Sequence, residues 1–230
     1  MDAMAMPFTL KGKWTYDEMA VGDRVQATLV VSGDRTWLED VVFVSESADS
    51  SAAPSSKGAV EPRPGDEVPD FALTNQDGKR IHLGMYRGRA LVLTFIYTRC
   101  PLPDYCPLIT RRFSEITATL KDNPALAAKT HLLSVSVDPD YDKPAVLREY
   151  GRTSAGLDGF DSWEFASGGT DEVKKVATFF GMQYWQDDGQ IIHSLRTAVI
   201  GPEGKLAALY RGSEWKAEEI ISTLQSLNLN

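Results

Sequence analysis

Two continuous apolar runs constrain the fold of this chain. They are "ALVLTFIY" at residues 90–97 and "THLLSVSV" at residues 130–137. Continuous apolar runs of this length are typical of strands that are buried on both faces, as in a parallel sheet covered by helices. The segment between them carries apolar residues at helical spacing from Leu108 to Leu120. The pattern predicts a helix that starts near Pro107, a residue well suited to a first helical turn.

The rest of the chain after residue 61 shows the same alternation of strands and helices. Two short strands surround the Asp77-Gly78 turn, and "PEGK" at 202–205 separates two late strands. The other predicted elements are a strand at 162–167, late strands at 193–201 and 206–212, and helices at 143–151, 170–181 and 216–227. Alternating strands and helices with a late hairpin indicate an α/β sheet protein.

Composition divides the chain into three segments. Residues 1–47 contain the strand-like stretches "RVQATLVV" and "TWLEDVVFV" around a turn at "SGDR", so they predict a small β module. The stretch from Ser45 to Gly65 is rich in Ser, Ala and Pro without hydrophobic periodicity, so residues 48–61 are predicted to be a flexible linker. Residues 62–230 form the predicted α/β domain.

Charge and hydropathy exclude some classes of function. The formal net charge is -8, and the basic residues are scattered, so we expect no nucleic-acid partner. No apolar run reaches the roughly 18 residues of a membrane-spanning helix. The first residues, "MDAMAMPFTL", lack the pattern of a secretory signal.

The two cysteines of the chain, Cys100 and Cys106, lie close together at the predicted strand-to-helix junction. The pair could be a disulfide that pins a loop, a redox couple or part of a metal site. The N-terminus of a helix favours the thiolate form of a cysteine placed there. Cys106 is therefore potentially reactive. The carboxyl end of a central strand is also where open α/β sheets bind ligands, which favours a functional pair.

The stretch "FIYTRCPLPDYCPLITRRFSEI" resembles the copper-site segment of the SCO/SenC family, which are thioredoxin-like copper chaperones of cytochrome c oxidase assembly. The family pattern has three residues between its cysteines. Here Leu102-Pro103 is a two-residue insertion, and Asp104 keeps the acidic position without being assigned as a ligand.

Three other segments extend this resemblance over roughly residues 62–228. In "IIHSLRTAVIGPEGKL", His193 occupies the position of the family's third copper ligand. "VSVDPDYDKP" is similar to a family segment that places Asp138 as a supporting residue, and "TDEVKKVATFFGMQY" is similar to the helix before the histidine loop. The resemblance implies a Cu(I)/Cu(II) site formed by Cys100, Cys106 and His193.

The ligand types agree with copper chemistry, because thiolates suit Cu(I) and an added imidazole suits Cu(II). The resemblance implies delivery of copper to a cytochrome c oxidase subunit or another copper-receiving protein. It also implies a location in the periplasm or on the outer face of the bacterial inner membrane. The other two histidines, His82 and His131, are interpreted as structural residues of strands.

A thiol-disulfide oxidoreductase is the alternative, since "EVPDFALTNQDGKRIHLGMYRGRALVLTF" is similar to the opening of the whole thioredoxin superfamily. Such enzymes usually have two residues between their cysteines and a cis-proline facing them. Here five residues intervene, and Leu195-Arg196 stands where that proline is expected. In this alternative, Cys100 and Cys106 exchange with the cysteines of a thiol-disulfide partner.

Residues 4–46 resemble the small β-barrel of CusF-like periplasmic copper-binding proteins, a barrel of the OB type. The Met-x-Met-x-Phe signature matches Met4, Met6 and Phe8. Thioether sulfur suits Cu(I), so Met4 and Met6 are a possible second copper site. Other ligands of that family fall at or before Met1, so we expect a truncated first strand and a missing export signal or membrane anchor.

Overall fold

The computed structural model describes residues 9–10, 25–32, 35–43, 61–182, 184–187 and 190–227. The chain separates into two units, residues 1–58 and 59–230. The division between Gly58 and Ala59 falls inside the segment predicted to be a linker. The assignment of the segments 1–47, 48–61 and 62–230 as module, linker and domain stays a prediction.

The first unit contains a three-stranded sheet. Strand β2 (Val25–Ser32) pairs antiparallel with β3 (Arg35–Phe43), and β1 (Thr9–Leu10) pairs parallel with β3. The two strands predicted here are confirmed, as expected for segments rich in β-branched and aromatic residues. Closure into a barrel stays a prediction, and Met4 and Met6 lie outside the described residues.

The second unit is built on a seven-stranded mixed sheet. Its strands are β4 (Ala72–Asn75), β5 (Arg80–His82), β6 (Ala90–Ile96), β7 (Thr130–Ser136), β8 (Trp163–Ser167), β11 (Arg196–Ile200) and β12 (Leu206–Arg211), in the spatial order β12-β11-β6-β7-β8-β4-β5. Strands β6, β7 and β8 are parallel, and the outer strands are antiparallel to their neighbours. Every residue of β6 and β7 is buried, which confirms the interpretation of the two apolar runs.

Five α-helices accompany this sheet within the described residues. They are α1 (Cys106–Lys121), α2 (Pro124–Ala128), α3 (Pro144–Thr153), α4 (Thr170–Phe179) and α5 (Ala217–Ser226). Helix α1 has Pro107 in its first turn, as predicted, and buries Ile109, Phe113 and Ile116 along one face. This apolar face fixes the rotation of α1 about its axis, and therefore the direction of Cys106 at its start.

The structure differs from the sequence-based elements in two places. Helix α2 was not predicted, because five residues are too few to show helical periodicity. The strand predicted at 193–201 begins only at Arg196, and His193 instead ends a separate hairpin of β9 (Tyr184–Asp187) and β10 (Gln190–His193). The Asp188-Gly189 pair between these strands is a hairpin signal in the sequence.

None of the helices found in the described residues combines the length and the apolar character needed to cross a membrane.

Candidate metal centre

The cysteine pair lies at the carboxyl end of β6. The chain leaves this strand at Ile96 and turns at Tyr97, whose carbonyl accepts a hydrogen bond from the Cys100 backbone N–H at 3.3 Å. A second turn places the Tyr105 N–H 3.1 Å from the Leu102 carbonyl. The two-residue insertion therefore lies in a tight turn, and α1 begins immediately after it at Cys106.

The buried carboxylate of Asp142 anchors the start of this loop. It accepts hydrogen bonds from the Thr98 backbone N–H at 3.0 Å, from the Thr98 hydroxyl and from the Ser136 hydroxyl. Burial nevertheless raises the pKa of Asp142 above its ordinary value. Since Thr98 precedes Cys100 by two residues, Asp142 limits where the first sulfur can lie.

A second carboxylate holds the next residue of the loop. Asp138 is buried, and its Oδ2 lies 2.6 Å from Nη2 of Arg99. The Arg99 guanidinium also stacks 4.1 Å from the centre of the Tyr141 ring. Asp138 therefore acts on the cysteine loop through Arg99, and its role as a supporting residue of a metal site stays a prediction.

The structure places His193 beside the cysteine pair, although it is distant from both cysteines in the sequence. Its Nε2 lies 3.4 Å from Sγ of Cys106, and both side chains are buried. Its Nδ1 lies 3.0 Å from the Ser194 carbonyl oxygen, which can only accept. In the neutral ring, Nδ1 therefore carries the proton and Nε2 presents a lone pair to the sulfur, the arrangement that a metal-binding histidine needs.

Burial also keeps this imidazole neutral, because it lowers the pKa of His193 to about 4. No proton has to leave Nε2 near neutral pH before the nitrogen can bind an ion.

The helix N-terminus acts on the first cysteine rather than the second. The pKa of Cys100 is lowered to about 6, chiefly by a hydrogen bond from the Cys106 thiol, then by the backbone N–H groups of Cys106 and Leu102 and by the Tyr97 hydroxyl. Burial raises the pKa of Cys106 well above its usual value. The expectation that position activates Cys106 is therefore wrong, since the thiolate forms on the more exposed sulfur that the helix N-terminus faces.

Tyr97 contacts two of the three candidate ligands, and sequence reasoning gave it no role. Its hydroxyl hydrogen-bonds with the Cys100 thiol, and its ring packs edge-on against His193 with 5.8 Å between the ring centres. Burial raises the pKa of Tyr97, so the hydroxyl keeps its proton. The sequence offered one signal for the role of Tyr97, namely its position next to Thr98 at the end of a buried strand.

The three candidate ligands form a chain of contacts with Cys106 in the middle. Both cysteines are free thiols. Within the ranges that the structure describes, no three His, Cys, Asp or Glu side chains are already arranged around one ion. Binding by Cys100, Cys106 and His193 together therefore requires a small closing movement, which the turn between the cysteines can supply.

The remaining candidates lie away from this cluster. His82 is exposed and pairs with Asp70 at 2.9 Å, as expected for a surface residue of a strand. His131 is buried at the start of β7, where its Nε2 lies 2.9 Å from Glu164. Both histidines lie in strands, as predicted, and Asp104 is exposed.

A dithiol at the turn between a central strand and the following helix, on a mixed sheet of this topology, defines the class of thioredoxin-like proteins. The buried histidine beside the second sulfur adds an imidazole nitrogen, a metal-binding donor that a dithiol alone lacks.

Residues 60–228 match the family model described as SCO1/SenC, and the chain belongs to this family. A curated relative is the SCO1 protein homolog of Bacillus subtilis, which is 31% identical over 165 residues, covering 70% of this chain and 82% of that protein.

Solved structures of the family share the fold. A SCO1/SenC family lipoprotein from Bacillus anthracis has a TM-score of 0.64 and 26% identity over 73% of this chain and 98% of its own. BsSco, described as a Sco-family cytochrome c oxidase assembly protein with a disulfide switch, has a TM-score of 0.61 and 31% identity over 72% and 96%. Copper-bound ScoI of Bradyrhizobium japonicum has a TM-score of 0.58 and 25% identity over 72% and 99%. The thioredoxin-like prediction for the second unit is confirmed.

Proposed function

We propose that this protein is a copper chaperone of cytochrome c oxidase assembly, with the cargo ion held by Cys100, Cys106 and His193. The main support for this proposal is the 3.4 Å contact between Cys106 Sγ and His193 Nε2. Cys100 is hydrogen-bonded to the same sulfur. Two sulfurs and one imidazole nitrogen thus meet at a loop that can close around an ion.

The donor set suits a carrier of copper in both oxidation states. Thiolates stabilise Cu(I), and the neutral imidazole adds a ligand that Cu(II) prefers. A structural zinc site normally takes four protein ligands, and only three are proposed here. Three ligands leave a position at which a receiving protein can attach before the chain releases the ion.

Relatives in the family support this assignment and indicate which class of protein receives the copper. BsSco is described as a cytochrome c oxidase assembly protein, and Bradyrhizobium japonicum ScoI was solved with copper bound. We infer that the receiving protein is a copper-binding subunit of cytochrome c oxidase. The Bacillus anthracis relative is described as a lipoprotein, which supports a membrane-attached location outside the cytoplasm.

Anaerobic titration of the fully reduced chain with Cu(I), and separately with Cu(II), tests the proposed site. We expect one tightly bound copper with sulfur-to-copper charge-transfer absorption in the Cu(II) form. His193→Ala and Cys106→Ser should abolish this absorption. His82→Ala is the matched control, because His82 is an exposed histidine outside the site. Equal Cu(II) binding by wild type and His193→Ala would overturn the ligand set.

A thiol-disulfide exchange reaction is the second candidate, favoured by the lowered pKa of Cys100, about 6. The Cys100 thiolate would attack a target disulfide and release one target sulfur as a thiolate. Cys106, losing its proton, would then displace the second target sulfur and close the Cys100–Cys106 disulfide. The target gains the two electrons that the chain loses. Rapid exchange with a disulfide substrate, together with failure to bind copper, would favour this reaction over copper delivery.

The methionine pair extends the copper hypothesis to the first unit. If Met4 and Met6 bind Cu(I), tethering the two units in one chain raises the effective concentration of that site at the cysteine site. Substitution of both methionines by leucine should then slow copper transfer to the cysteine site in the full chain. An unchanged transfer rate would exclude this role for the first unit.

A further inference from the structure

A cavity of about 520 Å³ opens at the edge of the sheet opposite the cysteine pair. His131 and Glu164 line it, and each is the second residue of a strand, β7 and β8 respectively. Because these strands run parallel to β6, their amino ends lie at the edge away from the loop that carries Cys100. A volume of this size falls within the range of small-molecule binding sites.

The floor of the cavity is a hydrogen-bonded cluster around Glu164. Its carboxylate accepts from His131 Nε2 at 2.9 Å, from the Tyr86 hydroxyl at 2.5 Å and from Asn75 Nδ2 at 2.6 Å. These three donors outweigh burial and lower the pKa of Glu164 to about 2. The carboxylate is therefore ionised and fully engaged at neutral pH.

One polar atom of this floor has no partner among the described residues. His131 is almost completely buried, and its Nδ1 makes no hydrogen bond. Glu164 only accepts, so His131 Nε2 is the donor of that pair, and Nδ1 of the neutral ring is an acceptor. Tyr86 covers one face of the imidazole, with 4.5 Å between ring centres. A buried acceptor of this kind favours a bound group with an N–H or O–H donor.

The walls of the cavity carry unpaired charges of both signs. Lys79 and Arg152 form no ion pair, and neither do Asp158 and Asp161, within the part of the chain that the structure describes. Arg89 also lines the cavity and stacks over Tyr86 without a carboxylate partner in that same part. Opposite charges that share a cavity without pairing are complementary to a ligand that itself carries both.

We propose that this cavity binds a small zwitterion of the amino-acid or short-peptide class. The ligand carboxylate binds the guanidinium of Arg152, because the planar fork of arginine matches a carboxylate. Its ammonium or amide N–H groups bind Asp158 or Asp161 and the open nitrogen of His131. The apolar side chains of Met85 and Phe160, which also line the cavity, accommodate the rest of the ligand.

Backbone amide chemical-shift titration of the full chain with L-phenylalanine tests this proposal. Phenylacetate, which has only the carboxylate, and phenethylamine, which has only the ammonium group, are the comparison probes. We expect phenylalanine to shift amides near Tyr86, His131 and Glu164 and to bind at least about tenfold more tightly than either comparison probe. Equal or tighter binding of phenylacetate, or no localised shifts with phenylalanine, would overturn the zwitterion assignment.

Two substitutions connect the binding to the named residues. Arg152→Gln removes a guanidinium from the wall, and Arg111→Gln is its matched control, because Arg111 is an exposed helical arginine outside the cavity. His131→Gln keeps an N–H donor for Glu164 but removes the Nδ1 acceptor. We expect Arg152→Gln and His131→Gln each to weaken phenylalanine binding about tenfold and Arg111→Gln to leave it unchanged. Wild-type affinity in Arg152→Gln would contradict the proposal even if His131→Gln fails to fold.

Discussion

His193 Nε2 lies 3.4 Å from Cys106 Sγ, although the two residues are 87 positions apart in the chain. The Ser194 carbonyl holds the proton on Nδ1, so the nitrogen that faces the sulfur is the one with the free lone pair. Helix α1 positions the sulfur, and the end of β10 positions the imidazole. This pair supplies two of the three ligands of the proposed copper site, and Cys100 is the third.

The first prediction concerns the loss of the imidazole ligand. His193→Ala should lower the affinity for Cu(II) by more than about 100-fold, because loss of a ligand exceeds the 10- to 100-fold effect typical of a supporting residue. Cu(I) binding should fall much less, since both thiolates remain. Competition titrations against chelators of each oxidation state measure the two affinities. Equal losses for Cu(I) and Cu(II) would contradict the assignment of His193 as the Cu(II)-preferring ligand.

The second prediction concerns the anchor of the cysteine loop. Asp142→Asn replaces one carboxylate oxygen by an NH2 group, which cannot accept a hydrogen bond from Thr98 or Ser136. The free energy of unfolding should decrease by about 1–3 kcal/mol, because a buried donor loses its partner. Copper affinity should fall about tenfold, since the start of the loop loosens. Urea denaturation and a copper competition assay measure these effects, with Asp158→Asn, an exposed carboxylate, as control. Unchanged copper affinity in a destabilised Asp142→Asn would restrict Asp142 to a folding role.

The third prediction concerns stability in acid. Three hydrogen-bond donors lower the pKa of Glu164 from its ordinary value of 4.5 to about 2 in the folded state. The stabilisation is therefore complete above the unfolded pKa and is lost as the pH falls from about 4.5 towards 2, a difference of roughly 3 kcal/mol. Urea denaturation between pH 2 and pH 7 measures it. Glu164→Gln should be less stable at pH 7 and should show a flatter pH dependence in this window. An equally steep acid dependence in Glu164→Gln would assign the effect to other carboxylates.

The fourth prediction concerns the insertion between the cysteines. Deletion of Leu102 and Pro103 should keep copper affinity within about tenfold of the wild type, because α1 fixes Cys106 and the Asp142 anchor limits the position of Cys100. The same titration with Cu(I) and Cu(II) measures it. Loss of all copper binding in a folded deletion variant would show that the longer turn is part of the metal geometry.

The sequence was sufficient for the elements that local chemistry determines. The apolar runs at 90–97 and 130–137 are buried strands, and Pro107 stands in the first turn of α1, because strand burial and helix starts depend on short-range patterns. The short helix α2 was missed because five residues carry too little of such a pattern. His193 was selected by family resemblance, since nothing in its local spacing distinguishes it from His82 or His131.

Only the tertiary structure decided which groups meet. It placed His193 beside Cys106, assigned the lowered pKa to Cys100 instead of Cys106, and added the Tyr97 hydroxyl to the site. It also joined His131 to Glu164 at the opposite edge of the sheet. Hydrophobic periodicity and the residue preferences of helix starts and turns act between residues close in sequence and can be read from it. Burial and contacts between distant residues depend on how the sheet and helices pack, and these determine a thiol's pKa and the set of side chains available to an ion.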